Sequence, residues 1–370
     1  MKVTFIWRGP SPYRVNFFNE LGKYCNLSVL FERSPKNISD KNLKWFDEEY
    51  IGFTGIYLRG VNLLGRYWLC YDIVKYLNLL RKSDIVVIGM YSTLTQAILI
   101  MIMKLLNIKY VINSDGGFIK KESALSRCVK RILIGGAHGY LSSGKKTNEY
   151  LRYYGAKSNI YVYPFTSSSE SDLVDKINDE EKNELKTHLG IIEKKIVLYS
   201  GQFIHRKGID VLLKACVCLP DDCGVYIVGG KPTEEYLSIL QANKLQNIHF
   251  IDFKTPKELV SYYKAADIYV LPTREDIWGL VINEAMSYGL PVITTDNCIA
   301  GLELINNGEN GFIVPVESVS ELHDKLILLL SSDDLRTQIS ANNRLKIRKY
   351  TIEKMAKIHI QIFNQLNSKS

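Results

Sequence analysis

A chain of 370 residues is too long for one ordinary hydrophobic core, so two domains are expected, and a hydrophobic content of 46% is that of a soluble globular protein. Seven scattered cysteines without a Cys-x-x-Cys pair argue against a disulfide framework and for a reduced, cytoplasmic setting; MKVTFIWRG also lacks the apolar core of a secretory signal. The net charge of +8 is unevenly spread: residues 1–168 hold 24 Lys+Arg against 11 Asp+Glu, a net +13, and the remainder holds 23 against 28, a net −5, so the first half is expected to meet an anionic partner.

Along the chain, strands and helices alternate. VTFIW (3–7) reads as a strand, RGPSPY as a turn and VNFFNELGKY as a helix, followed by strand LSVLF (27–31) and an irregular aromatic segment to about residue 60. LLGRYWLCYDIVKYLNLLRK (63–82) reads as an amphipathic helix. Residues 85–103 carry no charge, but polar residues from Gly89 to Gln96 divide them into strand IVVIG and a helix over 94–106, rather than a membrane span. Strand KYVINSD (109–115), helix 123–136, strand GYLSSG and helix 145–155 complete the first half.

SSSESDLVDKINDEEKNE (167–184) is a polar, acidic break expected to link two domains. Beyond it come strand KIVLYSG (195–201), helix KGIDVLLKAC, strand GVYIVGG, helix TEEYLSILQAN, strand IHFIDF, helix PKELVSYYKAA, strand IYVLPT and strand PVITT, with an amphipathic helix over about 347–367. The expected architecture is α/β, two doubly wound Rossmann-like domains facing across a cleft. Residues 1–168 with the helix over 347–367 form the first, 169–190 a linker and first helix, and 191–346 the second. Ligands of such sheets bind at the carboxyl ends of strands, which nominates Gly9, Asp115, Gly201, Gly230, Glu275 and Asp276.

Several motifs fail. GYLSSGKK (139–146) starts as a phosphate loop but has Lys146 where Ser or Thr must bind magnesium, and no G-x-G-x-x-G follows a strand. The six histidines have no metal-ligand spacing, there is no Asp-x-Asp or G-x-S-x-G, and no nucleic-acid module accompanies the basic half. What remains is a metal-independent cleft enzyme or a binder.

Two stretches combine better. In SGQFIHRKGIDVLLKA (200–215), Arg206 and Lys207 stand before a helix at a strand end, a setting for a diphosphate. In TREDIWGLVINEAM (273–286), Gly279 lets backbone amides approach a ligand, and LVINEAMSYG reads as a helix with Leu280, Val281, Ala285 and Met286 on its apolar face. Asp276 and Glu284 are eight residues apart, at most ~12 Å along a helical path. That suits hydroxyls at the two ends of an elongated ligand; glycosidase carboxylate pairs stand closer, about 5–9.5 Å. The alternative makes Asp276 a helix N-cap and Glu284 a solvated charge.

These stretches, with VSYYKAADIYVLP before them and GENGFIVP after them, resemble family 4 of the retaining GT-B glycosyltransferases. That family's acidic E-x7-E pattern is followed by Ala-Met and small-Gly-x-Pro-Val-Ile, here Ala285, Met286, Gly289, Pro291, Val292 and Ile293. The resemblance is specific over 195–316 and looser before it. It implies that Glu284 holds the ribose of a nucleotide-sugar (UDP- or GDP-linked) and that Asp276 touches donor-sugar hydroxyls. It gives Arg206 and Lys207 the leaving phosphate, and Gly279 and Leu280 the diphosphate through their amides. Gly9 and Asp115 are its first-domain residues near the diphosphate and the donor sugar. Gln202 replaces the usual Arg, and Asp276 the usual Glu. The implied reaction is retaining transfer from a nucleotide-sugar, with no metal or further cofactor. Its acceptor is a saccharide, such as one linked to polyprenyl diphosphate, at the inner face of the membrane, where the basic half and the 65–82 segment are docking candidates. Competing readings are a nucleotide-sugar 2-epimerase-like or phosphorylase-like enzyme, and a non-catalytic nucleotide-sugar binder.

Overall fold

The computed structural model describes residues 1–34, 49–63 and 67–368. Residues 1–167 and 351–370 pack as one unit, and 168–350 as another. The expected irregular segment before residue 60 lies partly outside the described residues.

In the first unit, β1 (Lys2–Trp7) is buried over five of its six residues, the continuous apolar run of a strand covered on both faces. A Pro at the start of α1 (Pro12–Gly22) costs no hydrogen bond, because the first helical N–H groups have no intrahelical acceptor. Then come β2 (Asn26–Phe31), β3 (Thr54–Tyr57), β4 (Gly60–Leu63), β5 (Tyr67–Cys70), α2 (Leu77–Arg81), β6 (Ile85–Ile88), α3 (Leu94–Leu105), β7 (Val111–Ser114), α4 (Ala124–Ile134), β8 (Gly139–Ser142), α5 (Lys145–Tyr153) and β9 (Ile160–Val162). Seven of these strands form a parallel sheet in the order β3-β2-β1-β6-β7-β8-β9. Thr93 caps α3 by accepting from the Gln96 N–H, which fixes where the uncharged stretch turns from strand to helix.

The helix expected over 63–82 does not form over 67–82, and residues 64–66 of that expectation lie outside the described residues. Tyr67–Cys70 instead pairs antiparallel with Gly60–Leu63, and Tyr71–Tyr76 is a 3-10 turn ahead of the short α2. Long-range partners take the backbone groups: the Cys70 N–H donates to Thr95 Oγ1 at 3.0 Å, and buried Asp72 accepts from the Arg59 N–H at 2.9 Å. Tertiary contacts thus outweigh a helical apolar period.

The second unit begins with α6 (Asp179–Leu189), whose first turn is the acidic run of the break. Asn178 caps it, and three acids face the positive end of the helix dipole. There follow β10 (Lys195–Ser200), α7 (Ile209–Ala215), β11 (Cys223–Val228), α8 (Glu234–Asn243), β12 (Ile248–Ile251), α9 (Pro256–Ala265), β13 (Ile268–Leu271), α10 (Leu280–Ser287), β14 (Val292–Thr295), α11 (Ile299–Leu304), β15 (Gly311–Val314), α12 (Val319–Ser331) and α13 (Asp333–Ile347). The parallel sheet runs β12-β11-β10-β13-β14-β15. Its order reverses between β10 and β13, the position where doubly wound sheets bind ligands.

The terminal helix expected from 347 starts later. α13 ends at Ile347, and α14 (Ile352–Ser368) is a separate helix that belongs to the first unit. Thr351 makes the break: its carbonyl accepts from the Met355 N–H and its Oγ1 from the Lys354 N–H. α14 packs on α1 through His359, whose ring lies 4.7 Å from Phe17 and 4.5 Å from Tyr163. Nδ1 of His359 is 2.8 Å from the Met355 carbonyl oxygen, so it carries the proton.

Burial pushes the His359 imidazole down from 6.5 to about 4. Unfolded chains therefore protonate first as pH falls, and stability is lost between about pH 6.5 and 4, by up to about 3 kcal/mol. His359→Phe is expected to flatten that part of the stability–pH curve, read from urea midpoints. An unchanged acid slope would assign the loss to other groups.

Candidate functional site

The loops after β10 and β13 are fastened to each other. The Arg206 carbonyl accepts from the Arg274 N–H at 2.8 Å and from Thr273 Oγ1 at 2.9 Å. Between them, Gly208 has φ +69°, and a Cβ there would stand 2.0 Å from the Pro272 carbonyl oxygen. Only glycine allows this approach, so the backbone itself sets the direction of the preceding HRK turn (His205–Lys207).

That turn brings its cations onto Asp276. Lys207 Nζ lies 2.5 Å from Asp276 Oδ2 and Arg206 Nη1 3.5 Å from Oδ1, and Arg206 Nη1 also donates to the Glu275 carbonyl at 2.6 Å. The side chains of Lys207 and Asp276 are each 13% exposed, which limits screening of the pair by water. The Asp276 backbone is held between the Asn297 carbonyl and the Ile299 N–H, so Asp276 does not cap α10. Arg274 makes a two-pronged pair with Asp210, at 2.8 and 2.7 Å, and a further one with Glu317. The Asp210 hydrogen bonds lead in raising the Arg274 guanidinium above its ordinary value.

α10 starts at Leu280 behind Gly279, which has φ +99° and would place a Cβ 2.9 Å from Cys298 Sγ. The helix buries Ile282, Asn283, Ala285 and Met286, while Leu280 and Val281 are half-buried, so its apolar face is turned from the one expected. Trp278 Nε1 donates to Asn283 Oδ1 at 2.8 Å and closes the loop against the helix. Glu284, one turn farther on, accepts from Tyr263 OH at 3.0 Å. Tyr263 OH in turn lies 2.9 Å from Oγ of Ser200, the last residue of β10. Burial, then the Glu284 charge, raises the Tyr263 phenol well above its ordinary value, keeping it a neutral donor.

The second unit therefore gathers Arg206, Lys207, Asp276, Gly279, Leu280 and Glu284 around the ends of β10 and β13. Gly201 and Gly230 stand just past neighbouring β10 and β11; the Gly201 N–H donates to Val228 and the Gly230 N–H to Ile251. Among the described residues no group of three or more His, Cys, Asp or Glu is gathered to hold a metal ion.

Gly9 and Asp115 belong to the first unit, Gly9 in the loop after β1 and Asp115 directly after β7. Asp115 is paired with Arg14 of α1 and accepts from Tyr163 OH at 2.7 Å and Asn113 Nδ2 at 2.8 Å. Arg14 is 1% exposed and sits over the rings of Trp7, at 4.3 Å, and Phe165, at 4.7 Å. Burial opposes its charge, but Asp115 more than offsets this and raises the guanidinium above its ordinary value. Sequence reasoning missed Arg14, Asp210, Arg274 and Tyr263. Arg14 carried a signal, since it shares the spacing 14, 17, 18, 21 with Phe17, Phe18 and Leu21, an arginine in register with a buried stripe.

Residues 180–346 match the model of glycosyl transferases group 1. An uncharacterized glycosyltransferase of Haemophilus influenzae is 35% identical over 46% of this chain and 49% of its own length. The N,N'-diacetylbacillosaminyl-diphospho-undecaprenol alpha-1,3-N-acetylgalactosaminyltransferase of Campylobacter jejuni is 23% identical over 62% of this chain and 61% of its own. The chain thus spans about half to three-fifths of the length of these relatives. Sucrose-phosphate synthase from Thermosynechococcus elongatus superposes with a TM-score of 0.79 over 100% of both chains at 17% identity, a likeness of fold.

Proposed function

From the match of residues 180–346 to the model of glycosyl transferases group 1 and from the GT-B fold, we propose that the chain moves a sugar from a nucleotide-diphosphate-sugar to an acceptor hydroxyl with retained configuration. The observation that carries this reading is the placement of Arg206 and Lys207 on Asp276 where the strand order of the second unit reverses. The cations neutralise charge that develops on the leaving diphosphate, and amides at Gly279 and Leu280 add to this. Glu284 holds the ribose and Asp276 the sugar end of the donor. The departing phosphate takes the acceptor proton on the same face, so the scheme requires no strong general base. The nucleotide-sugar is substrate, and neither metal nor cofactor enters this scheme.

The acceptor in this reading is a polyprenyl-diphosphate-linked saccharide of bacterial surface polysaccharide (capsule or O-antigen) assembly, reached from the cytoplasm at the inner membrane face. A relative named for a diphospho-undecaprenol acceptor and the basic first half support it. No helix among the described residues is long and apolar enough to cross a membrane.

Protection against thermal unfolding by UDP-, GDP- and ADP-sugars tests the donor. One nucleotide class is expected to raise Tm, and Glu284→Gln to weaken that donor about 10–100-fold, as loss of a charged hydrogen bond implies. Unchanged affinity would remove Glu284 from the ribose. Binding without transfer to any acceptor would favour a non-catalytic binder, and conversion of the donor without acceptor an epimerase.

A further inference from the structure

Arg274 lies between the loops of the second-unit site, and the proposed transfer gives it no part. Its side chain is nonetheless fully engaged. A guanidinium carries five N–H donors in one plane. Nη1 donates to Asp210 Oδ1 at 2.8 Å and to the His205 carbonyl at 2.6 Å. Nη2 donates to Asp210 Oδ2 at 2.7 Å and to Glu317 Oε2 at 3.1 Å, and Nε donates to Glu317 Oε1. No donor is left for a ligand, so any effect of Arg274 on the chemistry passes through what it holds.

What it holds is the His205–Lys207 turn. The guanidinium fixes the His205 carbonyl, and the Arg274 backbone N–H fixes the Arg206 carbonyl at 2.8 Å. Arg206 Nη1 donates in return to the carbonyl of Glu275, the next residue, at 2.6 Å. On its other side the Arg274 carbonyl accepts from Asn297 Nδ2 at 2.6 Å, and the Asn297 carbonyl accepts from the Asp276 N–H at 2.9 Å. Arg274 is thus tied both to the turn that carries the cations and to the acid they meet.

The clamp draws on distant parts of the unit. Asp210 lies in α7 and Glu317 after β15. The side chains of Arg274 and Asp210 are 15% and 9% exposed, so water screens their pair little. Glu317 reaches Arg274 from a left-handed backbone, φ +66°, which a residue bearing a Cβ keeps only where its surroundings hold it. The neighbouring Val316 N–H donates to Asp296 Oδ1 at 3.1 Å and pins that loop.

We propose that Arg274 is the positioning residue of the His205–Lys207 turn, holding Arg206 and Lys207 where a nucleoside diphosphate places its terminal phosphate. The ligand class rests on the glycosyltransferase reading; the hold on the turn rests on the hydrogen bonds. Lysine is no substitute, because a compact ammonium with three donors cannot span Asp210, Glu317 and His205 together.

The parent and Arg274→Lys are titrated calorimetrically with UDP, GDP, UMP and GMP, well below the Tm of each. The parent is expected to prefer one nucleoside diphosphate over its monophosphate. Arg274→Lys is expected to shrink that preference about tenfold, the low end for losing a hydrogen bond to a charged group, with monophosphate affinity held within about threefold. Asp210→Asn loosens the same clamp from α7 and is expected to act in the same direction, which keeps the test open if Arg274→Lys does not fold. A merely structural clamp would lower Tm and leave the preference for diphosphate unmoved; that result overturns the proposal. Equal weakening of mono- and diphosphate overturns it too, since the turn would not be what Arg274 sets. Altered preference in a protein that transfers no sugar would instead sink the glycosyltransferase reading and leave the clamp standing. A parent that binds no nucleoside diphosphate would sink both.

Discussion

Lys207→Ala is expected to lower kcat about 10²–10³-fold, the loss that follows removal of one preorganised group stabilising charge in a transition state. The structure gives Lys207 little freedom. Its backbone precedes Gly208, pressed against Pro272, and its ammonium rests on Asp276 at 2.5 Å. Donor binding falls less than turnover, since charge on the leaving diphosphate grows only as the bond breaks. Asp276→Asn removes the carboxylate that aims both cations and is expected to cost at least about tenfold in kcat. Glu275→Gln is expected to stay within about threefold, the usual range away from the reacting groups. The Glu275 group that meets Arg206 is its backbone carbonyl, which the substitution leaves in place. Steady-state kcat and KM for the three variants decide the matter; equal losses at 275 and 276 would mean that the eight-residue spacing picks the wrong acid.

Arg14→Leu is expected to destabilise the first unit by about 3 kcal/mol, because breaking a buried ion pair leaves one charge without its partner. The Asp115 side chain is 25% exposed, so the figure belongs at the low end of the range for such losses. At about 2–4 °C per kcal/mol for a unit of this size, Tm falls by roughly 10 °C. Arg14→Lys is not a conservative alternative, since a flat guanidinium stacks on Trp7 and Phe165 where a compact ammonium does not. The double variant Arg14→Leu/Asp115→Asn is expected to recover part of the loss, as neither charge then remains. Calorimetry of the four-member cycle measures the coupling; a double variant no more stable than Arg14→Leu would show that ring packing alone is responsible.

The parallel sheets were legible because their strands are short apolar runs separated by helix periods, as with KIVLYSG and DIVVIG. The second-unit candidate site was legible as a segment, since Asp276 and Glu284 lie close along the chain, but its helix begins only at Leu280, so a helical residue count does not measure their separation. The Arg206–Lys207 turn was legible only as a location, since its contact with Asp276 spans 69 residues. Arg274 with Asp210 and Arg14 with Asp115 likewise join positions far apart in the chain, and no local period encodes such pairs. The hairpin over 60–70 escaped because YWLC carries the same apolar residues a helix would, and Thr95 and Arg59, which satisfy its surroundings, lie outside the window.

The first unit is completed by a helix that follows the whole second unit in the chain. During synthesis residues 168–350 emerge as an uninterrupted stretch, whereas the aromatic face of Phe5 and Phe17 must wait for His359 and Phe363 to arrive. Domains assemble as units when their contacts are all available. The order of birth is thus reversed: the segment made second can finish first, and the segment made first holds an uncovered flank that the last-made helix closes.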